Sequence, residues 1–147
     1  MPVEKSAGAV IFKKEEGKNF YLLLQYPGLR HPKTYWDLPK GHIEKGEKEQ
    51  ETVKREVKEE TGLEDIEIIP GFKETIKYFF KWEGKNILKF VTFYLVKAKT
   101  EKVKISDEHM SYVWLVYEKA LEKLTFKNAK DILKKANDYL KNYAAAS

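Results

Sequence analysis

The sequence predicts a mixed β-sheet with helices on its faces, an α/β (α+β) architecture of the α/β/α sandwich kind. Three observations predict it: several runs rich in β-branched and aromatic residues, a long helix-forming stretch in mid-chain, and further helical sequence after the last strand. The chain has 147 residues, the size of one domain, and 42% of them are hydrophobic, enough to build a core. We therefore expect residues 1–147 to form a single domain.

Two strands are predicted near the start of the chain. Strand-forming sequence runs from Ala7 to Phe12 and from Phe20 to Gln25, with a turn between them at Glu15-Glu16-Gly17-Lys18. The next stretch, Tyr26 to Gly46, is punctuated by Pro27-Gly28, Pro32, Pro39, Gly41 and Gly46. Because proline and glycine interrupt regular structure, we predict a loop there.

The second half of the chain supplies more strands and the last helices. Four β-rich runs are Ile66 to Ile69, Phe72 to Trp82, Ile87 to Ala98 and Tyr112 to Tyr117. The segment Trp82-Glu83-Gly84-Lys85-Asn86 is predicted to be a hairpin loop. Two helices follow, Glu118 to Leu124 and Asn128 to Tyr143, and an apolar stripe on the second consists of Ile132, Leu133, Ala136 and Leu140.

Composition excludes several classes of function. The absence of cysteine excludes disulfides, thiolate catalysis, zinc-thiolate sites and iron–sulfur clusters. No apolar run approaches the ~20 residues of a membrane span, and the first residues do not resemble a signal peptide, so we expect a cytoplasmic protein without a membrane partner. The net charge of +5 comes with only two arginines, Arg30 and Arg55. This favours a solvated Lys/Glu-rich surface over an obligate nucleic-acid partner, and the oligomeric state stays open.

The predicted helix from Glu47 to Thr61, which Gly62 ends, has an unusual charge distribution. Its only large apolar residues are Val53 and Val57, one turn apart, which is a narrow stripe for a packed helix. At ~100° per residue, an arc of about 100° beside that stripe carries three carboxylates, those of Glu56, Glu59 and Glu60. Like charges at this spacing repel each other. Either the face is simply solvated, or a hard divalent cation such as Mg²⁺ neutralises it.

The same helix lies inside a longer motif. Gly41-x5-Glu47-x7-Arg55-Glu56-Val57-Lys58-Glu59-Glu60-Thr61-Gly62-Leu63 fills all nine fixed positions of the Nudix box, G-x5-E-x7-R-E-U-x-E-E-x-G-U with U aliphatic, over residues 41–63. The chain therefore resembles the Nudix hydrolases, whose loop–helix–loop holds divalent metals on an α/β/α sandwich. That resemblance implies hydrolysis of nucleoside diphosphates linked to another group.

The resemblance also implies roles for individual residues. It implies a site for Mg²⁺, or alternatively Mn²⁺, with these ligands: the carbonyl of Gly41 and the carboxylates of Glu56, Glu59 and Glu60. Arg55 counts among the catalytic-site residues, and its pairing with Glu47, two helical turns away, is expected to orient the loop against the helix. Glu108 is a further candidate for metal binding and catalysis, since relatives often place a loop acid there. The general base, Glu56 or Glu108, stays open.

Residues around the box narrow the substrate. The stretch Trp36-Asp37-Leu38-Pro39-Lys40-Gly41-His42-Ile43-Glu44 is similar to one in asymmetric dinucleoside tetraphosphate hydrolases. The same is true of Leu22-Leu23-Leu24-Gln25, Gly71-Phe72-Lys73, the region Glu108-His109 to Tyr112-x-Trp114, and Phe126-Lys127. The likeness covers roughly Ser6 to Leu140. It departs from the animal members at Thr34-Tyr35, where they carry a histidine pair.

This likeness implies substrate contacts on both sides of the box. A polyphosphate bridge carries about four negative charges, so cationic contacts are expected in addition to metals; the candidates are Lys40, His42 and Lys89. Tyr78 and Phe126 match positions where the subfamily stacks a base. A core role for Tyr78 is an open alternative, because it shares strand parity with Ile76 and Phe80.

The leading hypothesis is a metal-dependent pyrophosphohydrolase that splits diadenosine tetraphosphate asymmetrically into ATP and AMP. The first alternative keeps the chemistry and changes the substrate to another nucleoside diphosphate derivative, a diphosphoinositol polyphosphate or the 5′ end of RNA. The second is a non-catalytic Nudix module that binds nucleic acid. It is disfavoured because no carboxylate of the box is missing.

Overall fold

The computed structural model describes residues 1–28, 33–100 and 102–146, except the side chains of residues 144–146. Its strands and helices follow one another in this order: β1 Val3–Glu15, β2 Lys18–Pro27, β3 Thr34–Asp37, β4 Lys40–His42, α1 Glu49–Thr61, β5 Ile66–Trp82, β6 Lys85–Ala98, β7 Ser111–Val116, α2 Tyr117–Lys123 and α3 Lys127–Ala146. None of the helices in these ranges is long and apolar enough to cross a membrane.

The strands form one mixed sheet. Its central order is β3-β2-β1-β6-β5, with β4 paired to β1 and β7 paired to β2. β1 and β6 run parallel, from Val3 opposite Leu88 to Phe12 opposite Lys97, and the other pairings are antiparallel. The parallel pairing of β1 with β6 joins the hairpin of β5 and β6 to the rest of the sheet.

Helices cover both faces of this sheet. Apolar residues of β1 alternate, so Val10 packs on one side with α2 and α3, and Ala9 packs on the other side with α1. The stripe predicted for the last helix is buried, with Ile132 and Leu133 at 1% and 0% exposure. The arrangement confirms the predicted α/β/α sandwich.

The loop predicted over Tyr26 to Gly46 was wrong in part. β2 continues to Pro27, and two short strands follow at Thr34–Asp37 and Lys40–His42, while residues 29–32 lie outside the described part. β3 fits between Pro32 and Pro39, and β4 follows Pro39 directly. Each pairs with a longer strand, β3 with β2 and β4 with β1. Pairing with a preformed strand overrides the local signal of proline and glycine.

Several other boundaries differ from prediction; β1, for example, runs from Val3 to Glu15 rather than from Ala7 to Phe12. The two strands predicted over Ile66–Trp82 are one strand, β5, with a shift of register between Ile68 and Lys73 where Pro70-Gly71 interrupts the pairing. α1 begins at Glu49 rather than Glu47. α3 runs from Lys127 to Ala146, beyond the predicted end at Tyr143.

Candidate active site

Helix α1 is held by capping at both ends and by two valines in the middle. The Lys48 backbone N–H donates to Glu51 Oε1 at 2.9 Å in the first turn. Gly62 adopts φ 74° and its N–H donates to the Lys58 carbonyl at 2.9 Å, which ends the helix in a left-handed residue. Val53 and Val57 are buried against the sheet. The acidic face beside them is therefore fixed relative to the strands.

Arg55 ties this helix to the loop before it. Its Nε and Nη2 donate to the two carboxylate oxygens of Glu47 at 2.8 and 3.0 Å, and Nη2 also donates to the His42 carbonyl at 2.9 Å. Hydrogen bonds from Arg55 and then Thr52 lower the pKa of Glu47 from 4.5 to about 2. The contact expected between Glu47 and Arg55 is present and joins the loop before α1 to the helix, while the bond to the His42 carbonyl joins β4 to it.

The remaining guanidinium nitrogen holds the acidic face together. Arg55 Nη1 donates to Glu56 at 2.7 Å and to Glu59 at 3.2 Å. Burial raises the pKa of Glu56; Arg55 opposes this, and the negative charges of Glu59 and Glu108 add to it. The exposed Glu108, from the loop between β6 and β7, is therefore close enough to act electrostatically on the helix carboxylates.

Glu60 is the most buried member of the acidic group, at 6% exposure. Burial raises its pKa, His109 lowers it, and the charges of Glu56 and Glu108 raise it further. Its Oε1 lies 3.6 Å from His109 Nε2, which is too far for a hydrogen bond but close enough for an electrostatic contact. Its Oε2 is buried and has no hydrogen-bond partner among the described residues. A buried carboxylate oxygen of this kind is costly without a cation or donor.

His109 is a site residue that sequence reasoning missed. Its ring is buried, Nδ1 lies 2.8 Å from Ser106 Oγ, and Tyr26 packs against it edge-to-face at 4.5 Å between ring centroids. Ser106 and Tyr26 thereby hold the imidazole toward Glu60. In the sequence, His109 stands out only beside Glu108 as part of the likeness to the tetraphosphate hydrolases, and nothing local indicates that it reaches Glu60 on α1.

Strand β4 separates two environments by alternation. Gly41 faces α1, and a Cβ there would overlap the carboxylate of Glu56. Lys40, one residue earlier, faces the other side of the sheet and lines a cavity. The glycine is thus required for close approach of the β4 backbone to the acidic group.

The donor set fits a hard divalent cation, although it is not arranged as a ready cage. Within residues 1–28, 33–100 and 102–146, no three Asp, Glu or His side chains are grouped so that they could hold a metal ion as they stand, and Arg55 bonds two of the carboxylates. The partnerless oxygen of Glu60 and the mutual repulsion of the acids both favour a cation. Carboxylate and carbonyl oxygens are the donors that Mg²⁺ and Mn²⁺ prefer.

A cavity of about 410 Å³ lies on the α2/α3 side of the sheet, beside β4. Its lining includes three predicted substrate residues, Lys40, Tyr78 and Phe126, together with Tyr35, Asp37, Ile76, Phe93, Asn128 and Ala129. The volume suits a nucleoside, and the aromatic walls suit a base. Phe126 is 42% exposed at the cavity and tilts against Tyr35 at 5.3 Å. Ile76 and Tyr78 also pack against the core, so Tyr78 has both of the environments that the sequence left open.

The other two predicted cationic residues lie on β6 and β4, and neither makes an ion pair with the acidic residues in the described part of the chain. Lys89 lies opposite Tyr78 on β6, and its pKa is lowered by burial and then by the nearby charge of Lys40. The side chain of His42 is exposed, and its contact with Arg55 is made through the backbone carbonyl. The substrate roles of these residues stay predictions.

Asp37 and Tyr35 were also missed as site residues. They alternate with Trp36 on β3, so both reach the cavity from a segment that was predicted to be a loop. Asp37 is buried, and its Oδ2 lies 3.6 Å from Lys40 Nζ. An alternating pattern could have found the pair if β3 had been recognised.

With this geometry in view, comparison with known proteins identifies the family. The NUDIX domain matches residues 3–136, and the chain therefore belongs to the Nudix family. It is 31% identical over 145 residues to an asymmetrical bis(5′-nucleosyl)-tetraphosphatase from Mus musculus, covering 92% of this chain and 95% of that protein. It is 33% identical to the Caenorhabditis elegans protein of the same name, covering 96% and 99%.

Solved structures agree with this assignment. The fold superposes on a binary complex of the C. elegans Ap4A hydrolase with a TM-score of 0.80 and 33% identity, covering 95% of this chain and 98% of that one. The NUDIX domain of Shewanella oneidensis NrtR, at 18% identity and a TM-score of 0.68, shares the fold. The predicted resemblance to Nudix hydrolases is confirmed.

Proposed function

We propose that this protein hydrolyses diadenosine tetraphosphate asymmetrically to ATP and AMP, using Mg²⁺ or alternatively Mn²⁺, in the cytoplasm. The observation that carries the proposal is the juxtaposition, across β4, of an acidic group around Gly41 with a nucleoside-sized cavity that contains Lys40. Relatives of matching length that bear this activity in their names support the choice of substrate.

The proposed roles divide between the two sides of β4. Glu56, Glu59, Glu60 and the Gly41 carbonyl would hold the cation, with Glu108 as a further ligand. When bound, a divalent cation neutralises phosphate charge and lowers the pKa of a bound water. On the cavity side, Tyr78 and Phe126 would stack on the base, while Lys40, Lys89 and His42 would contact the phosphates.

The attacking water must lose a proton to a carboxylate, and two candidates remain. Glu56 accepts a hydrogen bond from Arg55 at 2.7 Å and lies against Gly41, so its carboxylate is already engaged in the group that would hold the cation. Glu108 is exposed on its loop and makes no ion pair among the described residues. We propose Glu108 as the base and Glu56 as a ligand, which the kcat–pH profiles of the Glu56→Gln and Glu108→Gln variants would separate: loss of the acidic limb marks the base.

A second candidate substrate is the 5′ end of RNA. It is supported by 34% identity over 115 residues to an RNA pyrophosphohydrolase of Nitratiruptor sp., covering 72% of this chain and 74% of that protein. The tetraphosphatases match more of the chain, 92–96%. We therefore place RNA second.

The deciding experiment is a product analysis by anion-exchange chromatography. The purified protein with Mg²⁺ is incubated separately with diadenosine tetraphosphate, ADP-ribose, a diphosphoinositol polyphosphate, 8-oxo-dGTP and a 5′-triphosphorylated RNA. Equal amounts of ATP and AMP from the first substrate, with little turnover of the others, would support the proposal. Two molecules of ADP, or a preference for another substrate, would contradict it. The Glu59→Gln variant is the control for a contaminating hydrolase.

A further inference from the structure

Asp37 is a buried carboxylate in the wall of a cavity that also has four aromatic side chains, those of Tyr35, Tyr78, Phe93 and Phe126. Its Oδ1 accepts the Leu38 backbone N–H at 2.7 Å, and its Oδ2 lies 3.6 Å from Lys40 Nζ. Within the described ranges this is the one ion pair that Asp37 makes, and its side chain is only 8% exposed. The negative charge of Asp37 would repel a polyanionic substrate, so a carboxylate in the lining of this cavity needs a physical reason.

The reason we find is the position of Lys40. A lysine side chain has four rotatable bonds, and a free ammonium would have several places to go. Lys89 bears a like charge close by, and the acidic group of α1 lies across the strand. Asp37 attracts the ammonium into the cavity wall, where it also lies over the Tyr78 ring at 5.9 Å from the centroid.

We infer that Asp37 is a positioning residue: it holds the Lys40 ammonium at the junction between the nucleoside cavity and the Nudix box, ready for the phosphate adjacent to a bound nucleoside. The inference rests on the proposed function only in that the substrate is a nucleotide. Asp37 itself contacts no reacting atom.

Replacing Asp37 by asparagine distinguishes this role from a simple effect of charge, because the two explanations predict opposite changes in the binding of a polyphosphate. If Asp37 acted only through its negative charge, replacing it by asparagine would remove a repulsion and tighten the binding of a polyphosphate. If it positions Lys40, the same change releases the ammonium and weakens binding. Asparagine keeps an oxygen for the Leu38 N–H, so the backbone turn at β3 is retained.

The experiment is a double-mutant cycle of Asp37→Asn and Lys40→Met, read by the KM and kcat for diadenosine tetraphosphate and by the Kd for ATP from calorimetry. We expect Lys40→Met to weaken ATP binding about tenfold, the loss of one charge-assisted contact. Asp37→Asn should weaken it about fivefold with kcat little changed, and should have less than about a twofold effect when Lys40 is already methionine.

A matched control uses an ion pair of the same kind outside the cavity. Lys73 Nζ lies 3.0 Å from Glu49 Oε1 on the α1 side of the sheet, so Glu49→Gln should leave the Kd for ATP unchanged. Tighter or unchanged ATP binding in Asp37→Asn, or the same loss in both Lys40 backgrounds, would overturn the inference.

Two further outcomes of the experiment also have a defined meaning. If Asp37→Asn does not fold, as judged by circular dichroism and thermal melting, Asp37→Ser replaces it, since serine also offers an acceptor without a charge. If ATP binding shows the coupling while diadenosine tetraphosphate is not turned over, the inference stands and the proposed substrate fails.

Discussion

Replacing Gly41 by alanine separates the stability of the fold from the integrity of the acidic site. A Cβ at this position would occupy the space of the Glu56 carboxylate, which is the far end of a flexible side chain. Glu56 would therefore rotate away and lose its 2.7 Å hydrogen bond from Arg55, while the backbone of β4 could stay in place.

The expected cost in stability is small. A charge-assisted hydrogen bond contributes about 1.5–3 kcal/mol when desolvated, and less here because Arg55 is 23% exposed and keeps Glu47. Alanine restricts the unfolded chain and returns about 0.4–1 kcal/mol. The net destabilisation is then about 1 kcal/mol or less, which lowers the melting temperature by about 2–4 °C for a chain of this size.

The expected cost in activity is large. Moving a catalytic-site group by about 1 Å can lower the rate by about 100-fold. We expect Gly41→Ala to lower kcat for diadenosine tetraphosphate by about that factor in a steady-state assay. We also expect Mg²⁺ to stabilise the wild type against thermal unfolding and Gly41→Ala to abolish that stabilisation.

Gly8→Ala is the matched control, because Gly8 lies opposite Lys40 on the paired strand. A Cβ at Gly8 would lie 2.7 Å from the Pro39 carbonyl oxygen and 2.8 Å from Phe93 Cε1. Neither atom can move freely, so this variant should lose about 3 kcal/mol or more by overpacking. A Gly41→Ala enzyme within about threefold of wild-type kcat would show that Glu56 is not needed where the structure places it, and would refute the reasoning.

Four other outcomes are expected. Glu59→Gln should lower kcat by about two to three orders of magnitude. Its melting temperature should change little, because Glu59 is 57% exposed. The control Glu64→Gln should change neither quantity, and equal activities of the two variants would contradict the metal role of Glu59. The stabilisation that Glu47 provides should be complete above pH 4.5 and disappear as the pH falls through about 2. The difference in melting temperature between the wild type and Glu47→Gln should therefore vanish over that range. A difference that stays constant would contradict this role of Glu47. Phe126→Ala should raise KM about 3- to 10-fold with kcat within about twofold, while Tyr143→Ala leaves both unchanged. Chelation by EDTA should abolish turnover, and Mg²⁺ or Mn²⁺ should restore it.

Long elements of the fold could be predicted because their sequence signals are local. The central helix has no glycine or proline until Gly62, and the hairpin between β5 and β6 turns at Gly84 between two long β-rich runs. β3 and β4 could not, because strands of four and three residues carry too little periodicity. They exist through pairing with β2 and β1, which is a tertiary effect.

The residues of the site also divide into those that could be predicted from local sequence and those that could not. The box residues are close together in sequence, and their spacing on one helix reports their geometry directly. His109 reaches Glu60 over 49 positions of chain, and Thr125 holds Trp36, the neighbour of Asp37, over 89 positions. No local pattern encodes such contacts, so the role of His109 became visible only in the structure, and that of Asp37 only once β3 was known to be a strand.

Lys40 and Gly41 were predicted as site residues from their chemistry, but their placement also depends on β4 being a strand. As an antiparallel partner of β1, the strand alternates, so the cation of Lys40 points into the cavity while Gly41 turns its backbone to the acids of α1. In a flexible loop these two residues would have no fixed relation. A strand places them on opposite faces one residue apart, the relation that the proposed function requires of a nucleotide with its base in the cavity and its phosphates at the acidic residues. Under that proposal, β4 fixes the cation of Lys40 relative to the carboxylates of α1.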